Sequence, residues 1–423
     1  MITVAFAVIA VFIVGFGLIS GRIQKTVITP PMVFVAFGLL LCNRVTGVID
    51  LEVESEVIDL LAELTLILVL FTDASRIDLG LLRRQHDIPV RLLAIGLPLT
   101  MVLGALTAMV VLPGFGVWEA VVLAIVLAPT DAALGQAVVS SLRVPVRIRQ
   151  ALNVESGLND GIALPVLLFA LALAGATAEP ASASHWIRFA TLQLTLGPVV
   201  GIAAGWIGGS LVAWGGRSGW MSEAFQSLSA VGIALSAFAL AELAGGNGFI
   251  AAFCAGLTIG NIARPICACL QEFAETQGQL LILLTFLFFG AVMVTPAFAH
   301  VTGPILLYAA LSLTLVRMLP VSLSLAGVGL RRPTHLFLGW FGPRGIASIL
   351  YGLIVLKHES FALREEVFTV TVVVVSVSVL LHGLTAWPGT GWYASHIDST
   401  RSEPGVPEHV EVEEMPARAP LMN

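Results

Sequence analysis

VVLAIVLAPTDAALGQAVVSS, residues 121–141, is long and apolar enough to enter a bilayer as a helix, yet it carries Pro129, Thr130 and Asp131 near its centre. Proline removes a backbone donor and disfavours helix in the residue before it, so the helix is expected to break there and free carbonyls and amides for contact. A second run, LFLGWFGPRGIASILYGLIVL at 336–356, repeats the device with Gly342, Pro343, Arg344 and Gly345. An ordinary proline kink is the simpler reading of each run, but a kink needs no adjacent Asp or Arg.

Both runs belong to a chain of 423 residues that is 57% hydrophobic and 11% charged, with a mean hydropathy of +0.96. Those values lie outside the range of soluble domains and mark a membrane protein. Apolar runs of about 18 to 25 residues, each able to cross a hydrocarbon layer of roughly 30 Å as a helix, recur along it. Thirteen candidate spans result: 2–20, 29–45, 57–73, 88–111, 118–140, 149–177, 187–214, 225–244, 247–262, 276–299, 302–328, 334–355 and 366–388. The first has no basic leader and no small-residue cleavage site, so it reads as a retained helix.

The interrupted runs are spans five and twelve. Seven is an odd offset, so the two run in opposite directions across the membrane, as an inverted repeat demands, and paired broken spans point to a binding site. The expected fold is therefore an all-α polytopic membrane protein of about thirteen transmembrane helices, with two inverted-topology repeats whose broken helices cross. The membrane domain covers 1–388, with repeats at about 1–177 and 225–388, and an acidic disordered tail is expected over 389–423. With residues at span edges counted in the adjoining loop, fifteen of the 21 Lys and Arg residues fall after odd-numbered spans or in the tail and four after even-numbered spans, and two lie deep inside spans. This bias places the N-terminus outside and the C-terminus in the cytoplasm of a multi-pass cell (inner) membrane protein. The cysteines Cys42, Cys254, Cys267 and Cys269 show no metal-ligand pairing and read as small apolar filler.

Ionisable groups inside spans are few: Asp131, Glu155, Asp160, Arg317 and Arg344, with Glu63, Asp73 and Glu242 nearer the ends. A charge at mid-membrane costs about 2.5 to 3.5 kcal/mol on insertion scales, which makes each a candidate functional residue. In NVESGLNDG, residues 153–161, helical spacing clusters Glu155, Ser156, Asn159 and Asp160 on neighbouring parts of one surface. Their carboxylate, amide and hydroxyl oxygens suit a hard cation such as Na⁺. Dehydration disfavours a bare carboxylate, so Asp160 is suited to holding either a proton or a cation. Arg317, in LSLTLVRMLPVSL, either pairs with Glu155 or snorkels to an interface. Asp131 and Arg344 are placed to offset the half-helix termini exposed where the broken helices cross.

Four segments, APTDAA at 128–133, NVESGLNDGIALP at 153–165, ELAGGNGFIAAFCAGLTIGN at 242–261 and FGPRGIASI at 341–349, resemble the monovalent cation:proton antiporters, specifically the bacterial type of the electroneutral Na⁺/H⁺ exchanger branch. The resemblance implies a six-helix core domain that moves against a dimerisation domain in a homodimer. It also implies an Asn-Asp pair at Asn159 and Asp160 with Asp160 as the ion-binding carboxylate, and ion-site residues at Thr130, Asp131, Glu155 and Ser156. The residues implied to ligate Na⁺ itself are Asp160, Asp131, Thr130 and Ser156, with Arg317 and Arg344 compensating charge. Asp73, where relatives often carry an acid and glycines, receives no role. The function expected is one-for-one exchange of Na⁺, or of Li⁺ or K⁺, for H⁺ by alternating access, with no cofactor and no nucleic-acid partner. A K⁺/H⁺ antiporter of the same fold, a cation channel or uniporter, and an intramembrane hydrolase are the competing readings. The hydrolase is the weakest, because His300, His335, His358 and His382 fall near predicted span ends and outside any recognisable motif.

Overall fold

The computed structural model describes residues 2–23, 26–49, 51–53, 55–84, 87–131, 134–178, 183–262, 278–398, 406–410 and 412. Each predicted span coincides with a helix or a pair of half-helices. They are α1 (Ile2–Ile23), α2 (Pro30–Leu41), α3 (Glu56–Ser75), α4 (Asp87–Val111), the halves α5a (Val117–Val126) and α5b (Gln136–Val139), α6 (Val146–Ala178) and α7 (Ala183–Arg217). The second half of the chain supplies α8 (Glu223–Leu243), α9 (Gly248–Ile262), α10 (Gln279–Phe298), α11 (Gly303–Ser324), the halves α12a (Arg332–Trp340) and α12b (Ile346–Leu356), and α13 (Arg364–Asp398). Among the described residues the β content is a single bridge between Cys42 and Ile49. Cys267 and Cys269 lie outside the described residues.

Local chemistry shapes several of these helices. α4 and α10 each widen into a π turn, at Leu92–Gly96 and Phe289–Val294, two residues ahead of Pro98 and Pro296. A proline cannot donate to the carbonyl four residues back and clashes with it, and widening the turn relieves the clash. A kink at Thr314 (φ −113°, ψ −91°) divides α11, a break the sequence reading did not anticipate. α1 lies on the outside of the bundle, with the Phe12 ring stacked on Phe37 of α2.

The helix pairing follows a two-fold rule. α9 packs on α3 as α2 packs on α10, α5a beside α4 matches α12a beside α11, and α6 beside α5 matches α13 beside α12. The helices that such an axis maps onto each other also touch: α3 meets α10, with Thr65 and Thr285 hydroxyls 3.3 Å apart, and α4 meets α11. Where α9 crosses α3, Gly256 and Gly260 lie directly on the carbonyls of Phe71 and Ser75. Gly290 of α10 lies on the Val35 carbonyl of α2 in the corresponding way. Backbone-to-backbone approach of this kind needs the smallest side chain, and it replaces the hydrophobic drive that helices lack in lipid.

The C-terminal end departs from expectation. α13 continues to Asp398, so residues 389–398 are helical and not part of a disordered tail. Residues 406–410 dock against the bundle: Glu408, 0% exposed, accepts hydrogen bonds from the Arg331 amide (2.7 Å) and the Thr334 hydroxyl (2.7 Å), and Arg147 donates to the Pro407 carbonyl (2.6 Å). A carboxylate at this position caps the N-terminus of α12a, whose first amides have no partner within the helix. Composition suggested disorder because it counts polar residues without registering that one of them has a helix end to satisfy. The rest of the expected tail, at 399–405, 411 and 413–423, lies outside the described residues.

Replacing Gly256 with leucine forces a side chain into the Phe71 backbone, which cannot yield as a rotamer would. A loss of about 1 to 3 kcal/mol is expected, measured as a lower midpoint of thermal unfolding in detergent.

Candidate functional site

The two breaks meet in the middle of the bundle. Beyond α5a the chain leaves the helix through Thr130 and Asp131, and beyond α12a it is non-helical from Phe341 to Gly345. The Asp131 amide donates to the Pro343 carbonyl (2.8 Å) and the Ile346 amide donates to Asp131 Oδ2 (2.8 Å), so each strand supplies what the other lacks. Arg344 Nη1 donates to the carbonyls of Ala128 (2.6 Å) and Pro129 (3.2 Å). Asp131 thus sits at the positive N-terminus of α12b and Arg344 at the negative end of α5a, the arrangement that offsets both helix dipoles. Gly345 is required here, because a Cβ would overlap the Asp131 carboxylate.

α6 runs past this crossing and presents the NVESGLND residues to two different neighbours. Glu155 turns toward α11, where Arg317 grips it through two parallel bonds, Nη1 to Oε1 at 2.6 Å and Nη2 to Oε2 at 2.8 Å. Both side chains are buried, Glu155 2% and Arg317 1% exposed, so Arg317 pairs and does not snorkel. Gly342 leaves room for the guanidinium, since a Cβ there would overlap it. With both oxygens engaged by Arg317, Glu155 is the expected ion-binding residue whose charge is already neutralised.

Ser156 and Asn159 turn toward α5. Asn159 Nδ2 donates to Thr130 Oγ1 (2.7 Å), and Thr130 Oγ1 lies 3.0 Å from Ser156 Oγ. Asn159 Oδ1 is buried and accepts no hydrogen bond. Asp160 lies one turn beyond Ser156, 4% exposed, with its backbone carbonyl held by the Tyr351 hydroxyl of α12b at 2.6 Å. The three neutral oxygens and the Asp160 carboxylate are of the kind that replaces the hydration of a hard cation.

Asp131, Glu155 and Asp160 bring three carboxylates to the crossing and Arg317 and Arg344 two guanidiniums, and each of the five is at most 5% exposed. Burying a charge is costly unless it is paired.

Some groups that complete the site were not anticipated. Tyr351 lies in an apolar stretch of sequence; the freed carbonyls of the first break were expected, but that Ala128 and Pro129 would be the two held by Arg344 carries no side-chain signal. His382 was placed near a span end, but α13 extends well past residue 388, so it sits inside the helix. There it is 1% exposed and within 3.0 Å of the Trp340 carbonyl. The available signal was Ser378 and His382 at i, i+4 in an otherwise valine-rich run.

Residues 6–389 match the family model described as sodium/hydrogen exchanger, transmembrane. The chain is 26% identical over 378 residues to the K⁺/H⁺ antiporter NhaP of Alkalimonas amylolytica, covering 89% of this chain and 64% of that protein. It is 31% identical over 150 residues to the uncharacterized Na⁺/H⁺ exchanger YjcE of Escherichia coli, covering 35% of this chain and 27% of that one. The chain therefore spans less than two thirds of the length of these relatives. The fold is similar to the structure of the sodium proton antiporter MjNhaP1 from Methanocaldococcus jannaschii at pH 8, with a TM-score of 0.75 at 20% identity, covering 93% of this chain and 98% of that one.

Replacing Arg317 with leucine leaves Glu155 buried without its partner and is expected to cost about 3 to 5 kcal/mol of stability. Replacing Glu155 with leucine as well recovers most of that loss. Unfolding of the single and double variants in detergent checks the pair.

Proposed function

The chain belongs to the sodium/hydrogen exchanger family, and on that premise we propose that it is a secondary antiporter that exchanges one Na⁺ for one H⁺, both competing for Asp160. The family is one of secondary transporters and not of enzymes. The observation that carries the proposal is the buried Asp160 carboxylate, 4% exposed, next to Asn159 and one turn from Ser156 on the helix whose hydroxyl and amide groups meet Thr130 at the crossing. A carboxylate takes one monovalent cation or one proton at a time, and crossing the membrane with neither carries a bare charge through low dielectric. Only the occupied site moves cheaply between the two faces of the membrane, so exchange is obligatory. Each direction then carries one positive charge, and turnover is electroneutral.

In this reading Asp160 is the carrier, and Thr130, Ser156 and Asn159 supply neutral oxygens to the dehydrated cation. Asp131 and Arg344 hold the two half-helices in register, while Arg317 keeps Glu155 from competing for the cargo. The charge asymmetry of the loops supports a C-terminus on the cytoplasmic side of the inner membrane, and a homodimer is the assembly that the family resemblance suggests. K⁺ as the cation is the second reading, favoured by the relative named as a K⁺/H⁺ antiporter.

Proteoliposomes carrying the purified protein test the proposal. An outward Na⁺ gradient is expected to drive proton uptake that acidifies the lumen and alkalinises the medium, at a rate unaffected by clamping the membrane potential with valinomycin and equal K⁺ on both sides. Because proton and cation compete, the rate passes through a maximum with pH and falls on both sides. Asp160→Asn abolishes the flux while the protein remains correctly inserted; retained exchange in that variant, or cation release without counter-movement of protons, overturns the assignment. Running Na⁺, Li⁺ and K⁺ in parallel separates the two readings.

A further inference from the structure

The two ends of the α12 break are joined through α13. On one side the Trp340 carbonyl closes α12a, accepting from the Gly342 amide (2.8 Å) and lying 3.0 Å from His382 Nε2. On the other, the Arg344 amide donates to Ser378 Oγ at 2.7 Å. Ser378 Oγ is in turn 3.1 Å from His382 Nδ1, which also lies 3.0 Å from the Ser378 carbonyl. Ser378 is 0% and His382 1% exposed, and the imidazole lies against the Trp340 ring with centroids 5.1 Å apart.

The partners constrain the protons. A carbonyl only accepts, so a hydrogen on Nε2 is given to Trp340, while Nδ1 faces both the carbonyl and the hydroxyl of Ser378. The Ser378 hydroxyl accepts from the Arg344 amide. The result is one relay of contacts from the Arg344 amide through Ser378 and His382 to the Trp340 carbonyl. It satisfies a backbone donor on one side of the break and adds a second partner to a backbone acceptor on the other, both buried in the bundle.

We propose that Ser378 and His382 are positioning residues that set the geometry of the ion site by bracing the α12 break from α13. The consequence runs through the backbone. The residue whose amide Ser378 holds is Arg344, whose guanidinium ends the carbonyls of Ala128 and Pro129, and the preceding Pro343 carbonyl receives the Asp131 amide. Thr130 lies between those anchors and carries the hydroxyl shared with Ser156 and Asn159. A first layer of ligands is only as exact as the layer that supports it. Neither residue touches the cation.

The kinetic arm of the test rests on the antiport reading; the second arm does not. In proteoliposomes, His382→Ala and Ser378→Ala are expected to raise the apparent KM for the cation by about 10- to 100-fold, the range seen when support behind a metal ligand is lost, with the maximal rate changing less. The double variant is no worse than the worse single one, because both act in one relay. His382→Gln restores a low KM, since its amide nitrogen reaches the Nε2 position and donates to the Trp340 carbonyl. In detergent, hydrogen exchange of the amides of residues 341–346 is faster in His382→Ala and slow again in His382→Gln. A His382→Ala protein with wild-type KM and wild-type exchange, or a His382→Gln protein no better than the alanine variant in either, overturns the proposal. Should the wild-type chain show no cation-dependent proton flux, the antiport reading falls, and the exchange arm alone decides on the brace.

Discussion

A backbone group in a bilayer interior has no water to turn to, and the crossing of α5 with α12 is built around that constraint. Interrupting two helices at mid-membrane strands carbonyls at the end of α5a and amides at the start of α12b. The structure satisfies them from the opposite strand: Arg344 takes the carbonyls, Asp131 takes the Ile346 amide, and the Pro343 carbonyl takes the Asp131 amide. The glycines follow from the same constraint, because the strands must approach to within hydrogen-bonding distance while charged side chains pass between them.

From this crossing the charge balance of the core is determined. Asp131 and Arg344 are committed to helix ends, and Glu155 and Arg317 are committed to each other in a bidentate pair. Asp160, 4% exposed, is the fifth member, one turn along α6 from Ser156, and the neutral oxygens of Thr130, Ser156 and Asn159 are gathered into one cluster. A cation site in a membrane needs both parts, since oxygen ligands replace hydration and the carboxylate offsets the charge.

The scaffold keeps the crossing where it is. Close glycine contacts lock α9 to α3 and α10 to α2, and the same pairing pattern in both halves of the chain brings α5 against α12. α13 does more than span the membrane: through Ser378 and His382 it reaches both sides of the α12 break. At one end of the molecule Glu408 caps α12a, so that half-helix is held at both ends by residues far from it in sequence.

Sequence alone determined the all-helical membrane fold, the positions of the spans and the two breaks, and the residues around the crossing. Those features are written in hydropathy, in proline and glycine, and in the expense of charge inside a bilayer, which are properties of a segment by itself. The pairing of Arg317 with Glu155, the division of the α6 face between α11 and α5, the roles of Tyr351 and His382, and the docking of Glu408 were decided only in three dimensions. Each depends on which helix stands opposite, and several use backbone carbonyls and amides, groups that every residue possesses and that no sequence pattern distinguishes.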